Sequence, residues 1–304
     1  MTRWLPAACV VLLAATVSAQ RRPPVPLSAD LVELDVVVLD KDERPITDLR
    51  QEDFKIKEDG RLVEVKTFAP VKALGTTEPD DARVVTLLMD DIGVPVTGTT
   101  PMQQIAPAVL APLGDGDELS VVRLASRTDE AFGDVGTALE RIAGYRGGAV
   151  PFTMPDAPET MLRAVTKIAG QLESIDHRRK VIICLGLPVV CDVSEPSLGS
   201  HSRFWPAWTA AIAAAARANV SVYCIDPTGV RAGRYLSGDG LVELTGGRTF
   251  AYQNRFAAAG EAVWREAGHY YLIGYWPAES KNELRSIDVS VARKGARVHA
   301  RKRR

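Results

Sequence analysis

Residues 84–89 (VVTLLM) form a nearly unbroken apolar run. A strand with one wet face alternates apolar and polar positions. A run apolar at almost every position suits a strand covered on both faces, as in a parallel sheet between two helical layers. The segments that follow keep this theme. Residues 119–124, 181–185 and 220–225 read as further buried strands, and 249–252 as a short one. Between them lie helical patterns. Residues 102–113 place Met102, Ile105, Ala106, Val109, Leu110 and Leu113 at helical spacing, with Pro107 and Pro112 predicting a kinked or short helix. Residues 159–173 place Met161, Leu162, Val165, Ile168, Ala169 and Leu172 on one face. Helices are also expected over 205–218 and 256–267, with a short one over 241–244 closed by Gly246. Strands alternating with helices predict a Rossmann-like, doubly wound, mainly parallel sheet.

The two ends of the chain follow another rule. Residues 31–39 alternate, with Val32, Leu34, Val36 and Val38 on one side. Short strands are expected at 46–49 and 54–58, then a hairpin turn at Asp59-Gly60 and a return strand over 62–68. Residues 270–275, 286–291 and 296–300 are strand-like again. Each β segment is too small to fold alone. The economical arrangement pairs 29–72 with 269–304 in one β-rich domain, with the α/β domain, 80–268, inserted between them.

The N-terminus carries the parts of a secretory signal: Arg3, an apolar stretch over 5–17, and small residues at Val17-Ser18-Ala19. Cleavage is expected after Ala19, with 20–28 (QRRPPVPLS) as an extended linker. The apolar stretch is shorter than the roughly 20 residues of a membrane-spanning helix, and no later segment is long and apolar enough to span. The expected location is therefore the periplasm, the cell envelope or the extracellular space. Cys184, Cys191 and Cys224 remain after cleavage. Export permits disulfides, but the spacing does not decide which two pair. Cys184 and Cys224 read as buried thiols and Cys191 as the more reactive one. The formal net charge of -1 gives no support to nucleic-acid binding.

Several stretches together carry a family resemblance. They are the strand ending in Asp90, GGAVPFT at 147–153, HRRKVIICLG at 177–186 and ANVSVYCIDPTG at 218–229. With ELTGGRTF at 243–250, AGHYYLIGYWP at 267–277 and the opening 32–60, the chain resembles the von Willebrand factor A-related family found mostly in Acidobacteria. The resemblance implies a Rossmann-like domain used for adhesion or assembly, with no defined catalytic activity. Type A domains commonly hold a divalent ion with an Asp-x-Ser-x-Ser loop, a Thr and a further Asp. Magnesium favours such oxygens, about six of them near 2.1 Å. Here Asp90 matches the first Asp, but the serine positions are Ile92 and Val94. The candidate ligands are Asp90, Asp91, Thr153 (with Thr160 as the alternative threonine) and Asp192, a degenerate set for Mg2+ or Mn2+.

Other constellations are weaker. His177, His201, His269 and His299 lack zinc spacing, and Ser200-His201-Ser202 has no nucleophile elbow around it. Gly114-Asp115-Gly116-Asp117 and Asp226-Pro227-Thr228-Gly229 read as turns. Residues 294–304 (KGARVHARKRR) read as a solvated edge strand and tail, with an anionic partner as the sharper reading. Trp205, Trp208, Trp264 and Trp276 read as core or rim packing, with Trp205 and Trp208 the best candidates for exposure. The expectation is an exported, non-catalytic binding module using the C-terminal edge of the parallel sheet, with a protein or surface polysaccharide as partner. The alternatives are a structural part of an envelope assembly, and a metal-dependent hydrolase or redox protein.

Overall fold

The computed structural model describes residues 31–72, 82–114, 116–125, 133, 135–148, 157–175, 178–189, 204–228, 240–250, 256–277, 279 and 284–304. The expected signal and linker, Cys191, Thr153, Asp192, His177 and the 200–202 stretch lie outside them.

The apolar runs form a five-stranded parallel sheet. Its strands are β5 (Arg83–Met89), β6 (Glu118–Arg123), β7 (Arg179–Leu185), β8 (Val220–Ile225) and β9 (Thr249–Phe250), in the order β6-β5-β7-β8-β9. Strands β5, β7 and β8 are buried along their whole length. Alternate residues explain this, because each strand feeds two cores. Val85, Leu87, Met89, Ile183 and Tyr223 face helices α1 (Thr99–Leu110), α2 (Val135–Ala143) and α6 (Phe256–Ala267). Val84, Leu88, Ile182, Cys184 and Cys224 face α3 (Ala157–Leu172), α4 (Trp205–Arg217) and α5 (Leu241–Leu244). The sheet is thus doubly wound, as the sequence pattern predicts. An isolated antiparallel bridge, Leu119 to Gly133, adds to the outer side of β6.

Two local outcomes differ from the sequence expectation. Helix α1 starts three residues earlier than 102 and carries Pro107 inside it. Pro112, just beyond, cannot donate to a continuing helix and marks its end. Helix α2 was not expected from the sequence, although Val135, Ala138, Leu139 and Ile142 have helical spacing.

The chain ends build two antiparallel sheets. One has the order β12-β1-β10-β4, from Arg297–His299, Val32–Leu39, His269–Tyr275 and Val65–Lys72. The other has the order β11-β2-β3, from Ile287–Val291, Phe54–Glu58 and Arg61–Val63. Val32 pairs with Tyr275 and Val36 with Tyr271. Asp59 and Gly60 hold φ of 48° and 77°, the left-handed pair that a two-residue hairpin turn requires. The single return strand expected over 62–68 is instead two strands. Strand β3 pairs with β2, whereas β4 pairs with β10, so the chain changes sheets at Glu64. Leu34, Val36, Phe54, Ile56, Tyr271 and Ile273 fill the space between the sheets. Asp59 also binds the start of β11, taking Ser286 N–H at 2.9 Å.

The β part covers the N-terminal edge of the parallel sheet. Asp35, on the outward side of β1, pairs with buried Arg179 at the head of β7 and takes the Asn219 amide at 3.1 Å. Arg179 also lies over the Tyr270 ring at 4.7 Å. Arg83, at the head of β5, is held by Asp117 and stacks on Trp264 at 4.6 Å. Asp117 is therefore a structural partner at a strand head. Burial works to raise its pKa, but hydrogen bonds from Arg83 and from the Gly114 N–H hold it below the usual range.

The basic end of the chain is the main correction to the sequence reading. It is not a solvated tail. Arg301 is only 6% exposed. Its guanidinium donates to the Ala216 carbonyl at 2.7 Å and the Glu33 carbonyl at 2.6 Å, joining α4 to β1. Lys302 N–H binds the Leu244 carbonyl at 3.0 Å, and Arg304 reaches buried Glu58 at 2.5 Å. Burial pushes the Arg301 guanidinium down to about 10, still charged at neutral pH. Trp208 and Trp264 are core, 1% and 2% exposed, in line with their reading as packing, and Trp205, the other candidate for exposure, is half-buried. Replacing Arg301 with Ala removes a buried charge and the two hydrogen bonds by which it joins α4 to β1. The expected loss is about 3 kcal/mol in urea unfolding. Lys302→Ala, at an exposed side chain, should stay within about 1 kcal/mol of the parent.

Candidate functional site

In an open α/β sheet the ligand crevice lies beyond the strand C-termini, where the winding changes direction. Here β6 and β7 flank β5 on opposite sides, so that point lies above Met89 and Leu185. The next residues are Asp90 and Gly186. The edge is built by the segment 90–98, the strap 145–148, the turn after β7 and the turn after β8.

Asp90 is 4% exposed, and its carboxylate turns back onto its own loop. Its Oδ1 accepts the Ile92 N–H at 3.1 Å and the Gly93 N–H at 2.6 Å. The Leu187 N–H contributes too. Burial raises the pKa of this carboxyl above the usual range, opposed by these N–H bonds from Gly93, Ile92 and Leu187. Asp91 points elsewhere, taking the Ala125 N–H at 2.7 Å beyond the end of β6. The neighbouring acids therefore tie β5 to the strand on either side. Asp226, at the end of β8, accepts the Thr228 N–H at 2.8 Å and the Thr228 hydroxyl at 2.7 Å, closing the turn that the sequence predicts.

The strap 145–148 is the part that sequence reasoning did not assign. Tyr145 is fully buried and donates its hydroxyl to the Asp90 carbonyl at 2.8 Å. Gly148 N–H binds the Val94 carbonyl at 2.9 Å, and Gly147 N–H binds Thr99 Oγ1 at 3.0 Å. A Cβ on Gly147 would lie 2.4 Å from the Pro95 carbonyl oxygen, and one on Gly148 would lie 2.8 Å from that of Ile92. The double glycine lets one backbone lie directly on another. That dipeptide was the available signal.

The described residues do not fit the divalent ion that the family resemblance implies. A hard cation needs free oxygens, and Asp90 Oδ1 already serves two N–H groups. Ile92 and Val94 bring no side-chain oxygen, and Val94 is buried in the core. Gly186 packs so tightly on Asp90 that a Cβ there would lie 2.5 Å from the Asp90 Cβ. Among the described residues no group of three or more His, Cys, Asp or Glu is placed to hold a metal. Of the four candidate ligands, Asp90 and Asp91 are adjacent but diverge, and Thr153 and Asp192 lie outside the described residues. His299 lies 3.6 Å from Glu266. His269 is pushed below the usual histidine range, by burial first and by Lys72 second. Both belong to the packing around the N-terminal edge.

No family model matches the chain, and no curated protein matches it. Solved structures do. One is proximal thread matrix protein 1 from the mussel byssus, with a TM-score of 0.41 and 14% identity over 67% of this chain and 49% of that one. Another is the same mussel protein with a zinc-occupied MIDAS motif, with a TM-score of 0.43 and 13% identity over 70% of this chain and 50% of that one. The match thus spans about half the length of the mussel chains.

Asp90 gives a paired test. Asp90→Asn keeps an Oδ1 that accepts the Ile92 and Gly93 N–H groups, so at pH 7 its melting temperature should lie closer to the parent than that of Asp90→Ala. Asp90→Ala leaves buried donors unpaired and should lose about 2–4 kcal/mol. The pH sign follows from the raised pKa. A carboxyl that binds its proton more tightly when folded stabilises the fold as pH falls through its folded-state pKa. The parent should therefore gain stability relative to Asp90→Asn between pH 7 and pH 4, measured by urea unfolding at each pH.

Proposed function

We propose that this chain is an exported, non-catalytic binding module of von Willebrand factor A type with a degenerate metal-ion-dependent adhesion site. It holds a protein or a surface polysaccharide through the loops at the C-terminal edge of its parallel sheet, and does so without a metal. One observation carries this reading. The Asp90 carboxylate is bound by the N–H groups of its own loop, while the flanking hydroxyl positions are Ile92 and Val94. The loop that would present an ion is instead locked onto the sheet, which favours a fixed shape over a coordination bond. Val96, 57% exposed on that loop, offers an apolar contact.

The export half rests on the signal-like residues 1–19 and places the module in the periplasm, the envelope or the extracellular space. Among the described residues no helix is long and apolar enough to cross a membrane.

Two measurements test the reading. Calorimetric titration with Mg2+ and Mn2+ should give no saturable heat. Micromolar binding that disappears in Asp90→Ala would overturn the degenerate site. Retention of the purified chain on isolated cell-envelope material should be equal in EDTA and in magnesium, and should fall in Val96→Asp without a change in melting temperature. Retention that vanishes in EDTA would sink the metal-independent mode.

A further inference from the structure

Cys184 and Cys224 are opposite partners in the register of β7 and β8. Both side chains point into the core under α3, α4 and α5, at 4% and 1% exposure. Both are free thiols, and the Cys224 thiol donates to the Gly186 carbonyl at 3.5 Å. Each sits one residue before the end of its strand, directly beneath the turn that packs on Asp90. Single buried cysteines are ordinary small apolar residues. Two of them facing each other at one rung of a sheet are a different object.

Adjacent strands run about 4.8 Å apart. A disulfide accepts Cα separations of roughly 4.4–6.8 Å, with Cβ atoms near 3.8 Å. The rung already meets the first condition, and roughly 1 Å of approach by the side chains meets the second. Strand β8 has room to give, because β9 beyond it pairs only with Cys224 and Ile225. We propose that Cys184 and Cys224 are a redox pair that closes a reversible cross-strand disulfide beneath the C-terminal edge of the sheet. The oxidant is a disulfide of the glutathione class. One cysteine, as thiolate, attacks a donor sulfur and expels the first donor thiolate, giving a mixed disulfide. The second thiolate displaces the other donor half. Two electrons pass to the donor, and the two cysteine protons end on the two released thiols.

Burial pushes both thiols up, Cys184 to about 12, so few thiolates exist in the folded state. Exchange is therefore slow once the sheet has closed, and fast while it folds. A bond closed against the sheet's natural spacing is also readily reduced.

The test uses the full chain with Cys9→Ser and Cys191→Ser, refolded in mixed oxidised and reduced glutathione, alongside the unaltered chain. After tryptic digestion a linked species should join residues 181–203 to 218–231. Both thiols should escape alkylation under denaturing conditions, and dithiothreitol should restore them. Oxidation should raise the melting temperature by several degrees, and Cys184→Ala should abolish that rise. Two alkylated thiols after oxidative refolding would overturn the proposal. So would a bond from either cysteine to Cys191 as the main product in the unaltered chain, located by fragmentation within the digest.

Discussion

The arrangement of the whole molecule depends on a buried charge pair, Arg179 with Asp35. Arg179 opens a central strand and is 2% exposed, so its guanidinium does not reach water. Among the described residues, two of its nitrogens, Nε and Nη2, have no hydrogen-bond partner. Asp35 from the other end of the chain and the face of Tyr270 supply what stabilisation there is. Separating two such charges in a dry interior typically costs about 3–5 kcal/mol. The β part is thus fixed to the N-terminal edge by electrostatics as well as by packing. Arg83 with Asp117 and Arg248 with Glu43 repeat the device nearby, the last by two bonds of 3.2 Å.

With one edge sealed, the opposite edge is left for contact. There the polar groups serve a different end. Asp90, Asp91 and Asp226 each accept nearby backbone N–H groups, so the carboxylates act as struts. The strap through Tyr145, Gly147 and Gly148 completes the bracing from beneath. A site assembled this way presents a surface whose outline is set by covalent geometry and hydrogen bonds. On the proposed reading, it needs no ion to pull its loops together.

The parallel sheet was legible because its strands are apolar on both faces, a pattern with few other uses. The pairing of the chain ends was legible from their small size. The hairpin at Asp59-Gly60 was legible because only certain residues tolerate left-handed φ at both turn positions. The parts that were missed share a cause. Helix α2 is short and its apolar spacing is diluted by polar neighbours. The change of sheet at Glu64 leaves no mark on alternation, since both strands stay in phase. The role of Arg301 depends on which carbonyls come near in space, and nothing in KGARVHARKRR distinguishes a buried arginine from its exposed neighbours. At the candidate site the absence of hydroxyls at 92 and 94 was visible. The inward turn of the Asp90 carboxylate was not, because it depends on Gly186 arriving from another strand.

The strand β1 pairs on one side with β10 and on the other with β12, more than two hundred positions further along. Contacts that distant carry a large loop-closure entropy and are made late. During synthesis, Val32–Leu39 lacks both of its ladder strands until His269–Tyr275 emerges. Asp35 and Arg179 likewise cannot be sealed in their final place while β1 waits. The chain therefore stays incompletely packed for most of its synthesis. On the proposed export, a chain threaded through a narrow translocation pore before it folds would benefit from such a delay. The order in which the strands meet acts as a timer on when the native state first becomes available.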